Sequence, residues 1–257
     1  MILVFSGTGN SMFVAKRLSL ALGDEIVELA KVGDRALTLS DGRVIWVFPV
    51  YSWGLPPVVA RWISKVRIDG SPVHYAVMTC GDDTGLTDSV WRKALARRGW
   101  TGGSAYSVQM PNTYVLMKGF DVDPFEVAER KILAAKPRIE YIAGRIRDNV
   151  PLENDLVRGS FAWIKTRIIY PWFKRYAMSP EPFFATDECV GCKLCATTCP
   201  LGNITMCGKR PAWGKDCALC LRCYHICPHH AVAYSTATRG KGQYKLLLES
   251  LDLHSKK

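Results

Sequence analysis

The stretch Cys189-x2-Cys192-x2-Cys195-x3-Cys199-Pro200 is followed 28 residues later by the same spacing, Cys217-x2-Cys220-x2-Cys223-x3-Cys227-Pro228. Eight of the ten cysteines of the 257-residue chain lie in these two runs. Three thiolates at i, i+3 and i+6 on a tight turn hold three corners of a cubane iron–sulfur cluster, and the fourth corner has to come from elsewhere. The proline after the last cysteine of each run turns the chain away from the ligand loop. A disulfide framework belongs to secreted chains, and the Met1–Phe5 start, with neither a basic region nor a cleavage site, does not read as a signal peptide. Two four-cysteine zinc sites would use the C-x2-C pairs, but zinc has no need of the third regularly spaced cysteine or of the Cys-Pro.

Over residues 183–240 the chain resembles a bacterial 2[4Fe-4S] ferredoxin, a small α+β domain. The resemblance implies crossed ligation. Cys189, Cys192, Cys195 and Cys227 would hold cluster I, and Cys217, Cys220, Cys223 and Cys199 would hold cluster II. Trp213 is expected to cover a cluster. Cys207 lies outside both runs and is not expected to be a ligand. His225, inside the second run, reads as an exposed residue or as a hydrogen-bond donor that tunes a potential.

The N-terminal part has a different pattern. The apolar run 1–5 reads as a buried parallel strand. It leads into Ser6-Gly7-Thr8-Gly9-Asn10-Ser11 and then a helical pattern over Met12–Leu22. A strand, a Gly- and hydroxyl-rich loop and a helix present backbone N–H groups to an anion. The loop has no Lys or Arg, so it is not a Walker A loop, and it lacks the G-x-G-x-x-G of a dinucleotide-binding turn. Neutral donors suit a phosphate monoester.

Further strands are expected at 25–29, 44–48, 73–79 and 105–110, with helices at about 57–66, 86–98 and 124–147. The alternation predicts a doubly wound α/β domain over 1–150 with a five-stranded parallel sheet and a ligand beyond the C-terminal strand ends. At the Ser6–Ser11 loop this domain resembles a flavodoxin, which implies FMN as cofactor and these residues as its phosphate loop. By the same resemblance Pro49, Val50, Tyr51, Ser52, Trp53 and Gly54 after the third strand clasp the isoalloxazine ring. So do Thr79, Cys80, Gly81 and Asp82 after the fourth. Tyr51 or Trp53 would stack on the ring. Asn112 or Tyr114 would close over it.

Residues 151–182 read as a helical, aromatic and basic linker in which Pro171 should kink or end a helix. Such a face packs one domain on another or lies on a membrane surface. Residues 241–257 form a tail, read as a short amphipathic helix from Gln243. The formal net charge of +11 points to an acidic redox partner protein, an anionic substrate or an anionic lipid surface. No nucleic-acid recognition motif accompanies it. The longest charge-free runs, 44–60 and 99–117, contain Pro and Gly and do not read as membrane spans. The chain is expected to be soluble and cytoplasmic.

In this order of domains the chain resembles the fused flavodoxin–ferredoxin proteins of anaerobic bacteria and archaea. The resemblance implies electron transfer between two [4Fe-4S] clusters and FMN, coupling one- and two-electron steps. A reductase acting on a small molecule at the flavin is the alternative, and a non-redox zinc-bearing interaction module is a third reading. No acid–base pair is legible.

Overall fold

The structure, a computed structural model, describes residues 1–32, 36–37, 42–150 and 152–244. The expected tail helix falls, beyond residue 244, outside the described residues. The central sheet is formed by β1 (Ile2–Val4), β2 (Ile26–Glu28), β3 (Arg43–Pro49), β4 (Val73–Cys80), β5 (Gly102–Gln109) and β6 (Asn154–Asp155). All neighbours are parallel and the order is β2-β1-β3-β4-β5-β6.

Alternate residues of the central strands face opposite layers, as the period of two requires. Leu3, Phe5, Trp46 and Phe48 join Val59, Ile63, Trp91 and Leu95 on one side. These partners come from α2 (Pro57–Lys65) and α3 (Thr87–Ala96). Ile2, Val4, Ile45 and Val47 join Phe13, Leu18, Ile139 and Ile142 on the other, supplied by α1 (Asn10–Leu22) and α4 (Phe125–Arg147). With helices on both faces, the strands carry near-continuous apolar runs, and Val44–Phe48 is fully buried.

The sheet has six strands where the sequence reading expects five. The sixth, Asn154–Asp155, has no apolar run because it is an edge strand secured by polar groups. Glu153 N donates to Ser104 Oγ at 3.0 Å, Val157 N donates to Ser107 Oγ at 2.9 Å and Arg138 pairs with Asp155 at 2.5 Å. The first residues of the expected linker therefore belong to the sheet.

Helix α5 (residues 162–177) runs through Pro171, which the sequence reading expects to interrupt it. Its turns widen to π-type hydrogen bonding over Lys165–Ile169 and Phe173–Ala177. Shifting the bonding pattern on both sides accommodates a residue that has no N–H to donate.

The cysteine-rich part carries two antiparallel pairs, β7 (Phe183–Ala185) with β10 (Val232–Tyr234), and β8 (Ile204–Cys207) with β9 (Arg210–Trp213). The sequence repeat of 28 is also a backbone repeat. Lys193 (φ 65°) and Leu221 (φ 61°) take the left-handed conformation before the helices Leu194–Thr197 and Arg222–Ile226. Gly191 and Leu219, again 28 apart, share positive φ as well. Leu219 and Leu221 hold it without glycine's freedom, which costs about 1 kcal/mol or more each.

Candidate functional site

The sheet order reverses between β1 and β3, and the loops leaving these two strands open a crevice at the sheet's C-terminal edge. A cavity of about 380 Å³ lies there, within the usual size range of ligand pockets. Ser6, Gly7, Thr8, Asn10, Ser11, Pro49, Val50, Tyr51, Ser52, Trp53, Thr79, Cys80, Gly81 and Asp82 line it. Two of the predicted cofactor residues do not. Gly9 (φ 107°) caps α1 from outside the cavity. Gly54 packs under the Tyr170 ring, which a Cβ would strike.

The side chains of the first loop make neutral contacts. Gly9 N donates to Ser6 Oγ at 3.2 Å, Asn10 Nδ2 donates to the Pro111 carbonyl at 2.9 Å, and the hydroxyls of Ser11 and Thr79 meet at 2.8 Å. Thr8 Oγ1 reaches Thr113 Oγ1 at 3.4 Å. Asn10 Oδ1 is buried and has no protein donor, so it is a polar group that a ligand hydroxyl would satisfy. The lining holds no Lys or Arg.

The second loop makes a two-residue turn. Tyr51 and Gly54 exchange both backbone bonds at 3.0 Å, with Ser52 (φ 45°) and Trp53 (φ 60°) between them. Positive φ at both central residues is the geometry of a tight hairpin turn normally built from Asn and Gly, and helix α5 clamps it in place. Thr166 Oγ1 donates to the Trp53 carbonyl at 2.7 Å and accepts from Leu86 N at 2.8 Å. Tyr170 OH donates to the Leu55 carbonyl at 2.5 Å, and Lys165 lies 5.0 Å from the Trp53 ring centroid while pairing with Asp83 at 2.7 Å.

In the third loop, burial pushes the Cys80 thiol up to about 12, with the charges of Asp83 and Asp82 adding to the effect, so it stays neutral and packs as a small apolar group. The Asp82 carboxylate points to solvent, 3.9 Å from Lys131.

The eight repeated cysteines surround two small cavities. Cys189, Cys192, Cys195 and Cys227 line one, and Cys199, Cys217, Cys220 and Cys223 line the other. None of the ten cysteines is paired in a disulfide. Burial raises Cys195, and the charges of Cys227, Cys189 and Cys192 add to it. Burial likewise raises Cys217, lifts Cys220 to about 11 and raises Cys223 further, with Cys199 a contributor to all three. Backbone amides point at three sulfurs: Asn203 N to Cys199 and Leu219 N to Cys217 at 3.4 Å, and Ala231 N to Cys227 at 3.3 Å. Among the described residues no three His, Cys, Asp or Glu groups are gathered as a single metal ion would require.

Trp213 lines the second small cavity and stacks on Phe183 at 5.4 Å. Cys207 is exposed in β8 and lines neither cavity. His225 is buried rather than exposed, and its bonds go to the backbone. Nδ1 accepts from Tyr244 N at 3.0 Å, which leaves Nε2–H to donate to the Thr113 carbonyl at 2.8 Å. Burial lowers its pKa to about 4, so it joins the two halves of the molecule as a neutral ring.

The large cavity and the second small one share a wall. Cys220 and Leu221 line both. A Cβ on Gly7 would lie 2.5 Å from the Cys220 carbonyl oxygen, so the absence of a side chain is what lets the two loops touch. Arg222 donates to the carbonyls of Gly7 at 2.7 Å and Ser6 at 3.2 Å. Burial holds the Tyr51 phenol well above its ordinary range, with Cys220 and Cys217 adding to the effect.

Asn112 and Tyr114, expected to close over the ligand, line the cavity with the rest of their loop, and sequence reasoning missed Met117, Phe120, Ile169, Trp172, Phe173, Leu219 and Leu221. They come from segments with no shared motif, brought together only by the packing of α5 and the cysteine loops. No protein-family model matches the chain, and no curated protein matches it.

Proposed function

We propose that the chain is an electron-transfer iron–sulfur flavoprotein, built from a flavodoxin-like domain that binds FMN and a ferredoxin-like domain that binds two [4Fe-4S] clusters. The observation that carries this reading is the wall shared by the large cavity and the second cysteine cavity. The Cys220–Leu221 segment, with the Gly7 loop against it, is the wall that would lie between a redox pair held in these two cavities.

The donor sets suit the groups. Burial and neighbouring thiol charge oppose ionisation of Cys195 in one set and of Cys217, Cys220 and Cys223 in the other, and an iron–sulfur core would supply the cationic centre that makes them thiolates. The Leu219 amide directed at Cys217 favours its charged sulfur, and backbone amides also donate to Cys199 and Cys227. The third regularly spaced cysteine and the Cys-Pro of each run favour the cluster over the zinc reading. When bound, the flavin would exchange electrons in pairs or singly and each cluster one at a time.

The chain's own residues orient and insulate. Ser6, Thr8, Ser11 and the α1 N-terminus offer neutral donors to a phosphate. Tyr51 and Trp53 offer ring faces, and Thr166 and Tyr170 hold the turn that presents them. Lys193 and Lys209 beside the exposed Cys192 loop would steer an acidic partner protein to the first cluster.

A second reading, a reductase acting on a small molecule at the flavin, is favoured by one feature. The cavity extends past the predicted flavin residues into a vestibule of Met117, Phe120, Trp172 and Phe173.

The test is anaerobic purification with iron, sulfide and flavin quantification, followed by stepwise reduction watched by absorbance and EPR. About eight irons and one FMN per chain, with both clusters reducible, is the expected result. Zinc in place of iron, or iron with no flavin taken up, would overturn it.

A further inference from the structure

Helix α5 turns one face inward and leaves another uncovered. Thr166, Tyr170 and Phe173 are buried, while Ile164, Ile168, Trp172 and Tyr176 are 43%, 55%, 54% and 69% exposed. Spaced by four, they form one stripe along the helix, and Trp163 (61% exposed) extends it at the N-terminal end. A continuous band of this kind marks an interaction surface.

The charges of the segment that carries the band are of one sign. From Leu156 to Pro180 the chain has five basic residues and no Asp or Glu. Arg158 and Lys165 are occupied by Asp88 and Asp83. Arg167 bonds the Ser89 hydroxyl at 3.1 Å, and Lys174 and Arg175 lie over the Tyr170 and Tyr176 rings. Among the described residues no carboxylate pairs with these last three.

We propose that α5 is a monotopic membrane anchor, lying in the interface of an anionic lipid bilayer. Aliphatic side chains along the stripe, Trp and Tyr toward its ends, and long cations on its flank are the composition of an interfacial helix. Transient redox partners bury small, polar surfaces, and this band is neither. No helix among the described residues is long and apolar enough to cross a membrane, so the helix lies along the surface. Trp172 belongs both to the stripe and to the cavity lining, so docking turns the vestibule toward the lipid. The inference stands on the exposed face and does not require the flavin reading.

The test is co-sedimentation of the full-length chain with vesicles of phosphatidylcholine alone or mixed with phosphatidylglycerol. Binding to the anionic vesicles, weakened by salt, is expected. Arg167→Glu with Arg175→Glu should weaken it about 30-fold or more, and Ile164→Ser with Ile168→Ser about tenfold or more. All four side chains are exposed, so circular dichroism and elution volume should match the parent. No binding of the parent to anionic vesicles at low salt, or equal binding by both variants, overturns the proposal. A dimer that dissociates in the Ile variant would instead assign the stripe to a second copy of the chain.

Discussion

Gly7→Ala tests the junction between the two halves of the molecule. The new Cβ would lie 2.5 Å from the Cys220 carbonyl oxygen and 2.7 Å from the Cys220 Cβ. Ordinary contact begins near 3.4 Å, so one loop must retreat by about 0.9 Å. Neither obstacle is a flexible side-chain end. Overpacking of this kind costs about 1–3 kcal/mol. Retreat also stretches the two bonds from Arg222, at 2.7 and 3.2 Å, charge-assisted contacts that contribute about 1.5–3 kcal/mol each when intact. A combined loss of about 2–4 kcal/mol is expected. Denaturant unfolding measures the stability, and quenching of flavin fluorescence on titration measures the affinity, expected to fall about 30-fold or more. Gly144→Ala is the control: it lies inside α4, a Cβ there meets nothing within 4 Å, and alanine should stabilise by up to about 1 kcal/mol. If Gly7→Ala binds flavin within about threefold of the parent and unfolds within about 0.5 kcal/mol of it, the shared wall is not as tight as described.

Cys199→Ser should remove the fourth thiol from the cavity of Cys217, Cys220 and Cys223 and leave the other set whole; EPR of the reduced protein should show one damaged cluster, and two intact ones would refute crossed ligation. Thr8→Asp puts a carboxylate into a cavity whose lining has no Lys or Arg, where it would repel a phosphate, so flavin affinity should fall at least about tenfold; stoichiometric flavin after gel filtration would refute the phosphate-loop assignment. Asp24→Asn breaks a buried pair with Arg43, at 3.0 and 3.2 Å, and should cost about 3 kcal/mol near neutral pH. Burial opposes the Asp24 charge, but Arg43 and the N-terminal ammonium outweigh it and hold the carboxyl below its ordinary 3.8. Its contribution is therefore present above that value and lost as pH falls through the lower folded value, so acid titration of stability should lose this component in the variant, and an unchanged acid limb would refute the assignment.

The strand–loop–helix alternation of the first 150 residues was legible because both faces of the sheet are covered. Coverage makes Ile2–Val4 and Val44–Phe48 uniformly apolar, and such runs stand out against the polar loops between them. The loop residues were legible for a different reason: tight turns and close approaches demand Gly, Ser and Asn, and fourteen of the sixteen residues so chosen line one cavity. Asn154–Asp155 escaped because an edge strand tied by side-chain bonds needs no apolar pattern. The course of α5 through Pro171 escaped because a change from α- to π-type bonding is a cooperative property of the turn, invisible at any single residue.

By itself the sequence determined the local chemistry: two sets of thiols with cluster spacing, a hydroxyl-rich loop after the first strand, and a basic excess. These depend on residues near one another in the chain. The spacing alone does not say which thiols meet; the crossed sets that the resemblance implies are gathered by the tertiary structure, which puts Cys199 with the second set and Cys227 with the first. The tertiary structure alone decided that Gly7 lies against Cys220, that His225 is a buried neutral link, and that one face of α5 is left uncovered. Each of these joins groups far apart in sequence, and such contacts are set by how whole elements pack, which no local pattern encodes.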